Sequence, residues 1–269
     1  MHTTPKSWLA RKLAPYPKLF AAAKQLFYRA GGTVYRTEHE WLCSVFGDRK
    51  DVFFLQIGAN DGKSDDCLYP FVRAYSWRGV LMEPVRHLFD RLIANYQGAD
   101  GLIFVNKALA EHDGKRTFYR LRETSDAMPP WYQEIGSLRR EVILSHEKII
   151  PNIYEYIIEE QVECISFSTL IENYNLEKLD LILIDTEGYD FNILRVIDFE
   201  KFHPALIIYE EKHLSAEDKA AARRLLLSHG YVVHAIGANA AATRTAFYSR
   251  GYWHRLLRMP AIESRRQMQ

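Results

Sequence analysis

The chain has 269 residues, 48% of them apolar, enough to bury a sizeable core and too many for a disordered segment. Its three cysteines, Cys43, Cys67 and Cys164, are widely spaced and show no C-x-x-C or Cys/His pattern, which excludes a disulfide framework or a structural zinc site and predicts a reducing compartment. The net charge of +1 conceals +11 on residues 1–36 and 250–269 together and −10 on the residues between, which argues against a nucleic-acid protein with its positive charge on the folded face.

Residues 1–50 read as a basic, partly helical N-terminal extension. Leu19, Phe20, Ala23, Leu26 and Phe27 recur at helical spacing, with Lys18, Lys24, Gln25 and Arg29 on the other side. Arg11, Lys12, Lys18 and Lys24 interrupt every apolar run, so the segment reads neither as a secretory leader nor as a membrane span, and a cytoplasmic location is expected. Over residues 1–36, seven basic residues without an acid, together with Trp8, Tyr16 and Tyr28, would allow peripheral contact with an anionic membrane. The alternative is that the stripe packs on the main domain.

From residue 51 to 250 short apolar runs alternate with helical segments, the signature of βαβ units and a parallel sheet. Strands are expected at 51–57, 79–82 and 102–105, with Pro70 near the start of a short helix and a second helix at 85–96. Gly114 is expected to turn between strand-like segments at 108–109 and 116–121. Residues 122–161 break the rhythm as an insertion with a helix around 137–148, and long insertions of this kind often form lids or binding loops. The rhythm resumes with strands at 162–166, 179–184, 205–209, 231–236 and 243–249 and helices at 168–175, 189–197 and 215–229. Residues 251–269 form a basic tail.

Three segments carry chemistry. The first strand runs into Gln56-Ile-Gly-Ala-Asn-Asp-Gly62, where glycines let the backbone turn sharply beside a ligand at the carboxyl edge of the sheet. A dinucleotide fingerprint needs glycines at 58, 60 and 63. Asn60 and Lys63 stand at the last two, so the pyrophosphate cradle is missing and either a ligand without phosphates or an ordinary glycine turn remains. Glu83 closes the second strand, where its carboxylate can accept both hydroxyls of an adenosine ribose or simply end a strand in solvent. The apolar run Leu181–Ile184 delivers Asp185 and Glu187 to the same edge. Two carboxylates there suit a cationic ligand and a hydroxyl that must lose its proton; the competing assignment has Asp185 or Thr186 capping the next helix.

Taken in order, Gly58-Ala-Asn-Asp-Gly62, Glu83-Pro84, Asn106-Lys-Ala108 and Asp185-Thr-Glu-Gly188 resemble the FkbM family of methyltransferases over about residues 52–250. The resemblance implies the class I methyltransferase fold, a Rossmann-like α/β domain with seven strands, mostly parallel, of which the last is antiparallel. It also implies S-adenosylmethionine as cofactor and O-methylation of a small-molecule, sugar or glycan acceptor. Cofactor contacts are then expected from Gln56, Gly58, Asn60, Asp61, Gly62, Glu83, Asn106 and Asp185, and catalysis from Asp185 and Glu187. Family members often carry Asp at the position of Gln56, which keeps a non-catalytic binding module open beside a nicotinamide-dependent oxidoreductase as alternatives. Glu210 or Glu211 could also face the site, and Trp131, Tyr132, Arg139 and Arg140 of the insertion could grip the acceptor or form a satellite core. His146, His203 and His213 share no spacing, and no metal is expected because the sequence offers no ligand cluster beyond the carboxylates.

Overall fold

The computed structural model describes residues 37–122, 124, 128–129 and 131–244. The stripe at 19–27, the tail at 251–269 and the end of the expected last strand lie outside the described residues. The first element is α1 (Glu38–Phe46), started by a capping box in which Thr37 Oγ1 accepts from the Glu40 N–H while the Glu40 carboxylate accepts from the Thr37 N–H. Then come β1 (Phe53–Ile57), α2 (Tyr69–Tyr75), β2 (Arg78–Met82), α3 (Arg86–Asn95) and β3 (Leu102–Val105). A second group comprises β4 (Ala108–Ala110), β5 (Gly114–Leu121), β6 (Gly136–Ser137), α4 (Arg140–Leu144) and β7 (Ile157–Ser166). The chain continues through α5 (Phe167–Asn173), β8 (Leu181–Ile184), α6 (Asp190–Val196), β9 (Leu206–Glu210), α7 (Ala216–Ser228), β10 (Tyr231–Ile236) and β11 (Asn239–Arg244).

Seven strands form one sheet in the order β10-β11-β9-β8-β1-β2-β3. Strand β11 runs antiparallel to both its neighbours and the remaining pairs are parallel, which is the class I methyltransferase arrangement. Ile57 pairs with Met82 on one side and Ile184 on the other, so β1, β2 and β8 end level. Gly58, Glu83 and Asp185 therefore leave the sheet side by side.

Side-chain alternation divides the core between the two faces. Leu55, Val80, Ile182 and Ile207 face Leu170, Ile193, Leu194 and Leu226 of α5, α6 and α7. Phe54, Leu81, Leu181 and Leu206 face Trp41, Leu42, Phe46, Phe71, Val72 and Leu92 of α1, α2 and α3. Helix α1, although it falls within the segment read from sequence as an extension, thus helps to close one face of the sheet. Its Phe46 meets Trp77 edge-on at 5.3 Å; Trp77 stacks on Phe71 at 4.8 Å and donates its indole N–H to the Arg49 carbonyl at 2.7 Å.

The structure corrects the expected elements in three places. The segments at 108–109 and 116–121 do form strands, but they do not pair with each other. Strands β4 and β5 both flank β7 in a second sheet, β4-β7-β5-β6, and β7 begins at Ile157, inside the segment read as an insertion. The helix expected at 137–148 is the single turn of α4 followed by a 3₁₀ turn at Ser145–Lys148. The last strand starts at Asn239 rather than 243, because Gly237 at φ 59° turns the chain straight back after β10. Its Ala240-Ala-Ala242 run is fully buried between β9 and β10, where small side chains fit, and carries little apolar signal in sequence. Among the described residues no helix is long and apolar enough to cross a membrane.

Removing Trp77 takes away a fully buried indole, its hydrogen bond and the surface on which α1 rests. Trp77→Ala should lower unfolding stability by roughly 3–5 kcal/mol, read by urea denaturation. A loss below about 1 kcal/mol would mean that α1 does not belong to the cooperative fold.

Candidate functional site

The exits of β1, β2 and β8 open into a cleft of about 200 Å³ at the carboxyl edge of the large sheet. Gly58 makes it possible: at φ 79° it lies so close to β8 that a Cβ would stand 1.8 Å from the Asp185 carbonyl oxygen. Its N–H and that of Ala59 both donate to Met82 O, tying the first loop to the end of β2. Asn60 then adopts a left-handed conformation, φ 49°, which asparagine tolerates.

Glu83 is buried beside this loop. Its Oε2 accepts from the Asn60 N–H and its Oε1 from the Val85 N–H, each at 2.9 Å. Burial pushes its carboxyl up to about 7 even though both N–H groups favour ionisation. Each oxygen keeps a lone pair beyond these bonds, so the group can still accept from a ligand diol. Gln56 donates through Nε2 to Asp66 at 3.2 Å and leaves its Oε1 buried at the cleft with no hydrogen-bond partner. A buried acceptor of this kind calls for an N–H or O–H donor from a ligand.

The expected cofactor residues divide accordingly. Gln56, Gly58, Asn60, Glu83, Asp185 and Glu187 line the cleft. Asp61 does not: its carboxylate accepts from the Lys63 and Ser64 N–H groups and the Ser64 hydroxyl, closing the turn. Gly62 serves packing, since a Cβ there would meet Leu92 at 2.2 Å and Tyr96 at 2.7 Å. Asn106 donates to the carbonyls of Glu83 and Pro84 and so holds the exit of β2.

On the other side, Asp185 opens onto the cleft but sits among protein atoms and other acids. Burial first, then the charges of Glu187, Asp190 and Glu210, raise its carboxyl well above the ordinary range. Neither Asp185 nor Thr186 caps α6: the Thr186 hydroxyl donates to Asp190 Oδ2, and the helix has no side-chain cap. Asp190, fully buried, accepts from the Glu210 N–H as well and is pushed up to about 7 by burial. Glu187 holds φ 48°, an uncommon conformation for a long side chain, and approaches His213 Nε2 at 3.0 Å. Of the acidic pair after β9, Glu210 turns toward His213 at 3.9 Å, whereas Glu211 is held away by Arg223 and the Tyr209 hydroxyl.

The insertion supplies the facing wall through Gln133, Glu134, Ile135, Gly136 and Leu138. Trp131, Tyr132, Arg139 and Arg140 do not line the cleft; Tyr132 is buried with Ile135, Ile143, Ile150 and Ile153 in a separate small core. The Ser137 hydroxyl donates to Glu187 O at 2.7 Å and Arg139 Nη1 to Gly188 O at 3.2 Å, pinning the insertion to the loop that carries Glu187. Sequence reading missed Glu38, a cleft-lining residue on α1 that accepts from Asn239 Nδ2. Only the capping pattern Thr37-x-x-Glu40 hinted at an ordered element there. It also missed the grouping of Glu187, Glu210 and His213, whose ligating atoms lie within 4.8 Å of one another, because β9 separates them in the chain.

A family model described as the methyltransferase FkbM domain matches residues 56–233. No curated protein matches the chain. Similar solved structures include a methyltransferase FkbM from Methylobacillus flagellatus KT, 13% identical over 73% of this chain and 44% of that one, with a TM-score of 0.42. A precorrin-6y C5,15-methyltransferase from Geobacter metallireducens GS-15 is 10% identical over 79% and 94% of the two chains, TM-score 0.42. A fibrillarin pre-rRNA processing protein from Methanococcus jannaschii is 10% identical over 73% and 68%, TM-score 0.36. The chain spans less than half the length of the Methylobacillus protein.

The raised carboxyl of Glu83 has a measurable consequence. In the unfolded chain this group ionises near pH 4.5 and in the folded chain near 7. Its ionisation therefore costs the fold nothing below pH 4.5, progressively more as pH rises, and the full amount above about pH 7. For a group this deeply buried the cost is of order 3 kcal/mol. Ligand-free protein should lose thermal stability between pH 5.5 and 8, and Glu83→Gln should flatten that slope. Equal slopes in the two proteins would show that Glu83 ionises freely in the fold.

Proposed function

This chain belongs to the FkbM family of methyltransferases, and from that premise we propose that it moves the methyl group of S-adenosylmethionine onto a hydroxyl oxygen of a sugar, glycan or natural-product acceptor. The observation that carries this reading is the division of the cleft between Glu83, a buried carboxylate that accepts from two backbone N–H groups, on one side and the carboxylates of Asp185 and Glu187 on the other. Bound S-adenosylmethionine supplies a methyl group already activated on a sulfonium. Glu83 would accept the ribose hydroxyls, Gln56 Oε1 an N–H donor, and Asp185 would face the cationic end, with Gly58 and Asn60 giving the backbone room to approach.

What remains for the protein is alignment and the proton. Holding donor and acceptor in line accounts for most of the acceleration expected of such a site. The acceptor hydroxyl would lose its proton as its oxygen bonds to the methyl carbon and the carbon–sulfur bond breaks, and Asp185 and Glu187, which line the cleft, would be the carboxylates that take it. The insertion wall, opposite these groups, would shape the acceptor's place.

Calorimetry with S-adenosylhomocysteine tests the reading directly, and a rise in thermal midpoint should accompany binding. Glu83→Ala should weaken binding by roughly 5- to 150-fold, the loss of two hydrogen bonds at about 0.5–1.5 kcal/mol each. Unchanged affinity in this variant removes the ribose assignment, and no binding to the wild type removes the proposed function. Asp185→Asn and Glu187→Gln should keep the fold and lower turnover of an identified acceptor, on the order of 10²-fold or more for the residue that takes the proton. Wild-type rates in both would pass that role to another group.

A further inference from the structure

Behind the cleft edge, Glu187 from the loop after β8, Glu210 from the end of β9 and His213 from the turn that follows point three ligating atoms into one small volume. We propose that Glu187, Glu210 and His213 form a divalent-cation site on the acceptor side of the cleft. The distances fit: His213 Nε2 stands 3.0 Å from Glu187 Oε2 and 3.9 Å from Glu210 Oε2. Ligands held about 2.1 Å from a shared ion sit roughly 3–4 Å apart in tetrahedral or octahedral arrangements.

A second observation points to a ligand. Glu187 Oε2, Glu210 Oε2 and His213 Nε2 are all buried from solvent and, among the described residues, none has a hydrogen-bond partner, although they are neighbours. The His213 side chain is only 8% exposed and that of Glu210 10%, so water does not compensate them from outside. Such groups left together without a cation carry an unrelieved desolvation cost. Asp190, bonded to the Glu210 N–H, adds further negative charge beside them.

The backbone is arranged to hold the three in place. Glu187 takes its left-handed conformation with its carbonyl fixed by Ser137, and Gly188 has no side chain where a Cβ would come within 3.1 Å of His213 Cβ. One imidazole with two carboxylates suits Mn²⁺ or Zn²⁺ better than Ca²⁺ or Mg²⁺, which favour all-oxygen shells. Of the three, Glu187 lines the cleft, so an ion held here would lie beside it. The cation's use in orienting an acceptor hydroxyl rests on the proposed function; its binding does not.

The test is titration of the full chain, stripped with chelator and dialysed, with Mn²⁺ alone, following the free ion by electron paramagnetic resonance. Saturable binding of one ion per chain is expected, with nitrogen coupling from an imidazole in the pulsed spectrum. His213→Gln and Glu210→Gln should each weaken it at least about tenfold. The nitrogen coupling is read on the wild type, so the result stands even where a variant does not fold. Absence of saturable Mn²⁺ binding overturns the proposal, as does bound Mn²⁺ without nitrogen coupling or with affinity unchanged in folded variants. S-adenosylhomocysteine titrated in parallel separates the two readings: its binding without the metal removes this site alone, and metal binding without it removes the methyl-transfer reading alone.

Discussion

The approach of Gly58 to the Asp185 carbonyl is the contact on which the rest of the site depends. Two neighbouring parallel strands leave the sheet at the same level, and their loops must diverge without clashing to make a crevice. The Asp185 N–H donates back to Ile57 O at 2.9 Å, so the exits are joined by a hydrogen bond as well as by close packing. No other residue type fits at 58, because the conformation there is left-handed and a methyl group would overlap the carbonyl. Through Met82 O the same loop is tied to β2, and Glu83 is thereby fixed relative to Asp185. The two carboxylates that flank the cleft owe their relative positions to backbone, which moves little when a ligand enters.

Five acids gather at this edge, and they differ in what satisfies them. Glu83 is held by two backbone N–H groups and Asp190 by the Thr186 hydroxyl and the Glu210 N–H. These two organise the loops around them. Asp185 faces the open cleft, while Glu187 and Glu210 converge on His213 without hydrogen bonds. Burial and mutual repulsion raise Asp185 well above the usual carboxylate range and Glu210 to about 7. Beside these carboxylates a cationic ligand is favoured, and a sulfonium, an ammonium group and a divalent metal all answer that demand, while Lys107 and Arg120 supply positive charge elsewhere on the cleft lining.

What could be read from sequence followed from local rules. Continuous apolar runs such as Phe53–Ile57 and Leu181–Ile184 announce strands buried on both faces, and the residues that end them are carried to one edge by parallel pairing alone. Gln56, Gly58, Asn60, Glu83, Asp185 and Glu187 were legible for that reason. Asp61, Gly62 and Asn106 occupy the same motifs but are consumed by the turn, by helix packing and by two carbonyls, distinctions that depend on side-chain direction. Strand β11 was misplaced because alanines buried between two strands look unremarkable in sequence. The metal-ligand geometry of Glu187, Glu210 and His213 arises only when β8 and β9 are paired, so no spacing rule along the chain could reveal it.

The insertion shows how such a fold can separate catalysis from recognition. It buries Leu121, Tyr132, Ile135, Ile143, Ile150 and Ile153 among themselves, so its shape depends little on the large sheet. Strand β6 pairs only with the end of β5, at Tyr119 and Arg120, yet its two residues stand at the cleft wall and at the Glu187 carbonyl. Gln133 and Glu134 can therefore vary with modest effect on the two main cores, whereas Ile135 is buried in the small core and a Cβ at Gly136 would stand 2.5 Å from Phe118. Ser137 and Arg139 cannot vary so freely, because their bonds to Glu187 O and Gly188 O set the height of the wall against the carboxylates. On the proposed function, acceptor choice would be adjusted on one side of a fixed joint and proton transfer on the other, and the joint itself is two hydrogen bonds to the backbone of a left-handed turn.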